Sequence, residues 1–302
     1  MLAIIAPGQG SQTPGMLDSW LQDQSLKALL VSWSDAIELD LLRLGTTAAA
    51  DEIKDTANAQ PLIVATSLLG LQAIGIKACA VTAGHSVGEL TAAAISGAIS
   101  QVNALTLVRA RGIEMAKAAT ISPAGMSAVL GGDRAEVLSL LASLNLVPAN
   151  ENGAGQIVAA GDLVALAQLA QAPPAGARVR ALAVAGAFHT SYMQPAIAPL
   201  RALAATLSIE LVSVPFISNN DGAVVTDGQQ VLQRIVNQIS NPVRWDLCMA
   251  QLNSLGVTGV IELPPAGTLV GLLKRAASEI ETFALKSADD LTAAQEFAER
   301  HA

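Results

Sequence analysis

At 302 residues with a formal net charge of −8, the chain lacks the basic surface that nucleic-acid binding requires. Its 52% hydrophobic content is carried largely by Ala, Leu and Val, with only 3% aromatics, which suits helices packed closely on a parallel sheet in one large domain or two unequal ones. No apolar run reaches the ~18 residues of a membrane span; the stretch from Pro61 to Ile76 is interrupted by Gln72 and closes at Lys77.

Met1-Leu2-Ala3-Ile4-Ile5 has no basic n-region and runs straight into a glycine loop, so it reads as a first strand and not as a leader. Cys79 and Cys248 stand far apart in neither a metal nor a redox spacing. The expectation is a cytoplasmic protein with no metal site, no membrane insertion and no nucleic-acid partner.

Leu2 to Ala6 is a buried-strand candidate, followed by the loop Pro7-Gly8-Gln9-Gly10-Ser11-Gln12. Its glycines let backbone N–H groups approach a ligand, although neither G-x-G-x-x-G nor a Walker lysine is present. Helical segments carrying Trp20 and Trp33 come next, then a buried helix from Pro61 to Leu71 and the short apolar run Ala78-Cys79-Ala80-Val81. That run leads into Gly84-His85-Ser86-Val87-Gly88-Glu89 and a helical pattern from Leu90 to Ala98. A G-x-S-x-G between strand and helix is the signature of a nucleophile elbow, with the serine hydroxyl exposed near a helix N-terminus. The same pentapeptide also fits a tight βα turn with an incidental serine, and only a partner base distinguishes the two.

Asn103 to Ala119 is helical. Arg109 and Arg111 diverge around it, since i and i+2 do not share a face; either one, if it points inward, needs an anionic partner. The next segment alternates as strand (Gly125–Leu130), helix (Arg134–Leu144), strand (Leu146–Asn150), strand (Gln156–Ala160), helix (Leu163–Ala170) and strand (Val179–Val184). That βαββαβ order is a ferredoxin-like unit. It is expected as a small domain over 124–187, inserted into a large α/β domain formed by 1–123 and 188–302. The large domain resumes with a helix over Ser191–Leu207, a strand over Val212–Ser218, helices over Gln229–Ile239 and Pro242–Leu255, a strand over Val257–Leu263, a helix through Lys274 and Arg275, and a strand at Phe283–Leu285. Alternating strands and helices imply a parallel sheet.

A serine nucleophile needs a base within hydrogen-bond reach. Of three histidines, His301 sits beside the terminus and is expected to fray. His85 adjoins the serine and should point away from it. His189, where the inserted unit rejoins the large domain, is left as the candidate. No third carboxylate stands out: Asp162 and Asp221 follow Ser86 without a supporting context.

Taken in order, Gly8-Gln9-Gly10-Ser11-Gln12, Gly84-His85-Ser86-Val87-Gly88-Glu89, Arg111-Gly112, Ala187-Phe188-His189 and Asn241-Pro242-Val243-Arg244-Trp245 resemble the malonyl-CoA:acyl carrier protein transacylases over nearly the whole chain. The resemblance implies an α/β-hydrolase-like core in which Ser86 becomes malonylated and His189 is its base and later acid. It implies a dyad whose histidine is oriented by a backbone carbonyl in the stretch from Gln238 to Asn241. Backbone N–H groups of Gln9 and Val87 would form the oxyanion hole, and Arg111 would grip the malonyl carboxylate, as a planar fork can. Gln60, His85, Asn150, Asn152 and Phe188 would line the cleft, and Phe188 before the base matches the malonyl-selective pattern. Malonyl-CoA and acyl carrier protein are the implied partners, with CoA and phosphopantetheine entering as substrate moieties and no separate cofactor. The carrier would dock on a basic rim drawn from Lys117, Arg178, Arg180, Lys274 and Arg275. The malonyltransferase subunit of a malonate decarboxylase and a serine hydrolase or thioesterase on the same core are the alternatives.

Overall fold

The computed structural model describes residues 1–76 and 78–302; Lys77, where the sequence closes its long apolar stretch, lies outside them. Strand β1 (Leu2–Ala6) is followed by helices α1 (Gln24–Ala36), α2 (Leu41–Thr46) and α3 (Thr56–Ile74). Next come β2 (Val81–Gly84), α4 (Gly88–Ser96) and α5 (Gln101–Ala119). The inserted unit comprises β3 (Ala124–Gly131), α6 (Arg134–Ser143), β4 (Val147–Gly153), β5 (Gln156–Asp162), α7 (Leu163–Gln171) and β6 (Ala177–Ala181). The chain then returns through α8 (Ile197–Ala204), β7 (Phe216–Ile217), β8 (Val224–Val225), α9 (Gly228–Gln238), β9 (Val243–Arg244) and α10 (Trp245–Ser254). It ends with β10 (Gly259–Glu262), α11 (Thr268–Ala276), β11 (Glu281–Ala284) and α12 (Leu291–His301).

The large sheet has the order β11-β10-β1-β2-β7-β8 and is parallel except for the β7–β8 pair. Its central strand β1 is buried along its whole length, as expected of a strand covered by helices on both faces. Helix α3 begins at an Asp55 cap that accepts from Ala57 N–H and stops at left-handed Gly75. By length and composition it could cross a membrane, but it is mostly buried within the chain and packs along α5.

In the second sheet, β6-β3-β5-β4-β9, the first four strands are antiparallel in the ferredoxin-like order. The fifth strand, β9, comes from the large domain and pairs in parallel with β4, placing Asn150 opposite Val243 and Glu151 opposite Arg244. The expected helix over Pro242–Leu255 therefore starts only at Trp245, because Val243 and Arg244 extend the small sheet. The expected strand over Val212–Ser218 shortens to Phe216–Ile217, and the first turns of the Ser191–Leu207 helix are 3-10, with Pro195 among them.

Candidate active site

Parallel strands deliver ligand-binding loops at their C-terminal ends, and the elbow stands at the end of β2. Ser86 has φ +53°, a left-handed conformation that costs a non-glycine residue free energy. The turn closes because positions 84 and 88 lack side chains: a Cβ on Gly84 would overlap the Gly88 backbone, and one on Gly88 would overlap the Ala6 carbonyl. Asn219, at the end of β7, braces the elbow from beneath. Its Oδ1 accepts from Ser86 N–H at 2.8 Å and its Nδ2 donates to the Gly84 carbonyl at 2.6 Å.

His189 also has a positive φ, +61°, and its N–H donates to the Ile239 carbonyl at 3.0 Å. Its Nδ1 lies 2.9 Å from the Gln238 carbonyl. A carbonyl only accepts, so Nδ1 carries the proton and Nε2 presents its lone pair, 2.7 Å from Ser86 Oγ. Burial, and next the charge on Arg111, push the imidazole down to about 3, so it is a neutral base at physiological pH. Gln238 is thus the orienting carbonyl. Asn241 is exposed and donates its own N–H to that same carbonyl at 3.1 Å, and its backbone makes the smaller contribution to the ring. Asp162 caps α7 and Asp221 pairs with Arg234, so neither approaches the histidine as a triad acid.

Arg111 is 2% exposed. Its Nη1 donates to Gln60 Oε1 at 2.7 Å, and its Nη2 donates to Gln238 Oε1 at 3.0 Å and to Ser86 Oγ at 3.4 Å, whereas Nε is buried without a partner. Burial lowers it to about 10, opposed by the charge of Glu89, so the guanidinium stays charged. A buried cation beside the serine, held directly by neutral amides, has spare capacity for a carboxylate. Arg109, two residues earlier, turns the other way and caps the Ala57 carbonyl at 2.8 Å.

A cleft of about 230 Å³ separates the two domains and is walled by Gln9, Gln60, His85, Ser86, Asn150, Asn152, Phe188 and His189. Met126, Val158, Leu182 and Val184 supply its apolar side. His85 Nε2 meets Asn152 Oδ1 at 2.8 Å, its ring edge-on to Trp245, so it does turn away from the base. Val87 and Arg111 are buried and lie off the wall. Among the described residues, neither the Gln9 nor the Val87 backbone N–H has a hydrogen-bond partner. Lys274 and Arg275 are exposed on the last turn of α11, whose first turns reach the cleft through Thr268, Leu269 and Leu272. Arg178 and Arg180 are exposed on β6, and Lys117 pairs with Glu114.

Sequence reasoning does not single out Asn219, the side chain of Gln238 or Glu89. The available signal is positional: Asn219 stands two residues past an apolar strand, and Glu89 is the one charged residue of its helix, in the first turn. Nor is His301 frayed: it is buried, stacks on Phe297 and bonds Thr258 Oγ1 at 2.9 Å.

An α/β-hydrolase-like core carrying an inserted ferredoxin-like domain, with Ser86 bonded to a carbonyl-held histidine beside a buried arginine, defines a serine acyltransferase. The acyl transferase domain family matches residues 4–297. The malonyl CoA-acyl carrier protein transacylase of Mycobacterium tuberculosis (strain ATCC 25618 / H37Rv) is 52% identical over 296 residues, 96% of this chain and 98% of the relative. That of Escherichia coli (strain K12) is 32% identical over 97% of this chain and 98% of its own. The crystal structure of MCAT from Mycobacterium tuberculosis superposes with a TM-score of 0.95 at 52% identity, covering 99% of both chains. A type II PKS acyl-carrier protein in complex with its malonyl-transacylase contains a chain that superposes at 0.92 with 29% identity, covering 98% of this chain and 99% of that one. The chain belongs to the malonyl CoA-acyl carrier protein transacylase family.

Proposed function

We propose that the chain transfers a malonyl group from malonyl-CoA to the phosphopantetheine thiol of an acyl carrier protein, by way of a malonyl ester on Ser86. The observation that carries this reading is the shared position of Ser86 Oγ, 2.7 Å from His189 Nε2 and 3.4 Å from Arg111 Nη2. One oxygen thus has a neutral base on one side and an uncommitted cation on the other.

In the first half-reaction the Ser86 Oγ–H proton passes to His189 Nε2 as Oγ attacks the thioester carbonyl. The oxyanion is stabilised by the Gln9 and Val87 N–H groups, a contribution of about 2.7–4 kcal/mol per donor in comparable enzymes. The C–S bond then breaks and His189 returns the proton to the departing CoA sulfur. In the second half-reaction the carrier's thiol gives its proton to His189 and attacks the ester carbonyl, and Ser86 leaves with that proton. Arg111 holds the malonyl carboxylate throughout. Acetyl-CoA leaves that buried guanidinium unpaired and is disfavoured.

CoA and phosphopantetheine take part as pieces of the substrates, and the sequence balances without a resident cofactor. The carrier, acidic in this reading, docks near Lys274 and Arg275, and the reaction takes place in the cytoplasm. A decarboxylase subunit or a hydrolase has no observation in its favour. Intact mass of the enzyme after mixing with malonyl-CoA should show one malonyl adduct, absent in Ser86→Ala and discharged by holo-carrier protein. Adduct loss to water at the same rate without carrier would defeat the proposal.

A further inference from the structure

Glu89 is buried on the first turn of α4 and has no part in the proton transfers above. Its Oε1 accepts from Asn219 N–H and its Oε2 from Gln238 Nε2, both at 2.6 Å. Burial pushes its carboxyl up to about 8, yet both oxygens accept and neither faces an acceptor, which is the pattern of a carboxylate. The Gln238 amide has its nitrogen between this carboxylate and the Ser86 carbonyl, 3.0 Å away, while its oxygen faces Arg111 Nη2 at 3.0 Å. The backbone carbonyl of the same residue holds His189. Gln238 therefore serves the base through its main chain and the arginine through its side chain.

A primary amide is nearly symmetric in shape, and only its hydrogen-bond partners decide which end is oxygen. Were Gln238 to flip, an NH₂ would face a guanidinium and an oxygen would face the Ser86 carbonyl, leaving two unfavourable contacts in a buried site. Glu89 supplies the shortest of the contacts that forbid the flip.

We infer that Glu89 is a positioning residue that locks the Gln238 amide with its oxygen toward Arg111, so that the guanidinium is aimed at the acyl carboxylate. This rests on the reading of Arg111 as the carboxylate receptor. Glu89→Gln preserves size and still accepts from Asn219, but it turns an NH₂ toward the Gln238 NH₂.

The test measures kcat/KM for enzyme acylation by malonyl-CoA and by acetyl-CoA in wild type, E89Q, R111A and the double variant. E89Q should lower the malonyl value about 10–100-fold and the acetyl value at most about 3-fold. On the R111A background, E89Q should not change the malonyl-to-acetyl ratio further. Q238A, which keeps the backbone carbonyl and removes only the amide, should reproduce the selective loss with Glu89 intact. Equal losses for both substrates in E89Q, an unaltered ratio in Q238A, or the same factor lost again in the double variant would overturn the inference. If R111A itself leaves the ratio intact, the carboxylate reading fails and the inference falls with it. An effective R111A beside a non-selective E89Q removes Glu89's role alone.

Discussion

The two walls of the cleft are built differently. The large-domain wall and the layer directly behind it form a fixed polar lattice: Ser86 and His189 in left-handed conformations line the cleft, with Arg111 between two glutamines, Asn219 and Glu89 buried behind them. The small-domain wall includes Met126, Ala128, Val158, Leu182 and Val184 with the neutral amides Asn150, Asn152 and Gln156, and its polar link to the elbow is the bond between Asn152 and His85. Fixed dipoles that need no reorganisation favour a transition state, whereas an apolar wall contributes shape and desolvation. Substitutions on the first wall should therefore act on the chemical step, and those on the second on substrate binding.

The largest expected effect is on the lattice side. His189→Ala removes the proton acceptor, and burst-phase acylation of Ser86 by malonyl-CoA should slow by about 10²–10⁴-fold. An undiminished burst would show that another group deprotonates the serine. Arg111→Ala comes next. Malonyl transfer should fall by about 10²-fold or more, the scale of a buried charge-assisted pair, and acetyl transfer much less. Equal losses would reduce Arg111 to a packing element.

The same lattice fixes the pH response. His189 is held down to about 3 by burial and then by the Arg111 charge. Protonation that would disable a free imidazole near its ordinary 6.5 is thus displaced to lower pH, and kcat/KM for acylation should stay level as pH falls through 6.5. Removing the cation lets the imidazole protonate more readily, so in R111A the acid limb should move up in pH. The folded-state value is below the unfolded one, so the contribution of His189 to stability is present above 6.5 and is lost as pH falls toward 3. An acid limb at 6.5 in wild type, or one that does not move in R111A, would mean that the site is wetter and less charged than its geometry indicates.

Much of this division is legible in the chain itself. The elbow declares itself through Gly84 and Gly88, since the turn admits no Cβ at either position. The ferredoxin-like unit follows from its βαββαβ periodicity. Features that depend on long-range pairing are not legible. Val243 and Arg244 join the small sheet because β4 offers them an open edge, and no local pattern distinguishes that pair from the start of α10. Asn219 and the Gln238 side chain are ordinary amides in sequence. They become structural only when β7 and α9 are brought beneath the elbow, 133 and 152 residues away from Ser86. Arg109 and Arg111 are likewise equivalent by composition; both bond residues of α3, and Arg111 is the one enclosed because Ser86 and Gln238 close over its other side.

The smallest predicted effect bears most directly on the contrast, because Asn152 belongs to the small domain yet touches the residue beside the nucleophile. Its Oδ1 accepts only, so His85 donates from Nε2, and burial lowers that ring's tendency to charge. Asn152→Ala removes two neutral hydrogen bonds, the one with His85 and the one its Nδ2 donates to Gln156 Oε1 at 3.2 Å, each worth about 0.5–1.5 kcal/mol, and shortens the wall by an amide. Ser86 keeps its contacts with Asn219, His189, Arg111 and Gln238, none of which involves Asn152. The expected result is a KM for malonyl-CoA raised about 2–10-fold with kcat within about 2-fold of wild type. A fall in kcat at constant KM would mean that the small domain helps hold the elbow. The lattice would then extend across the cleft through His85, and the two walls would act as one.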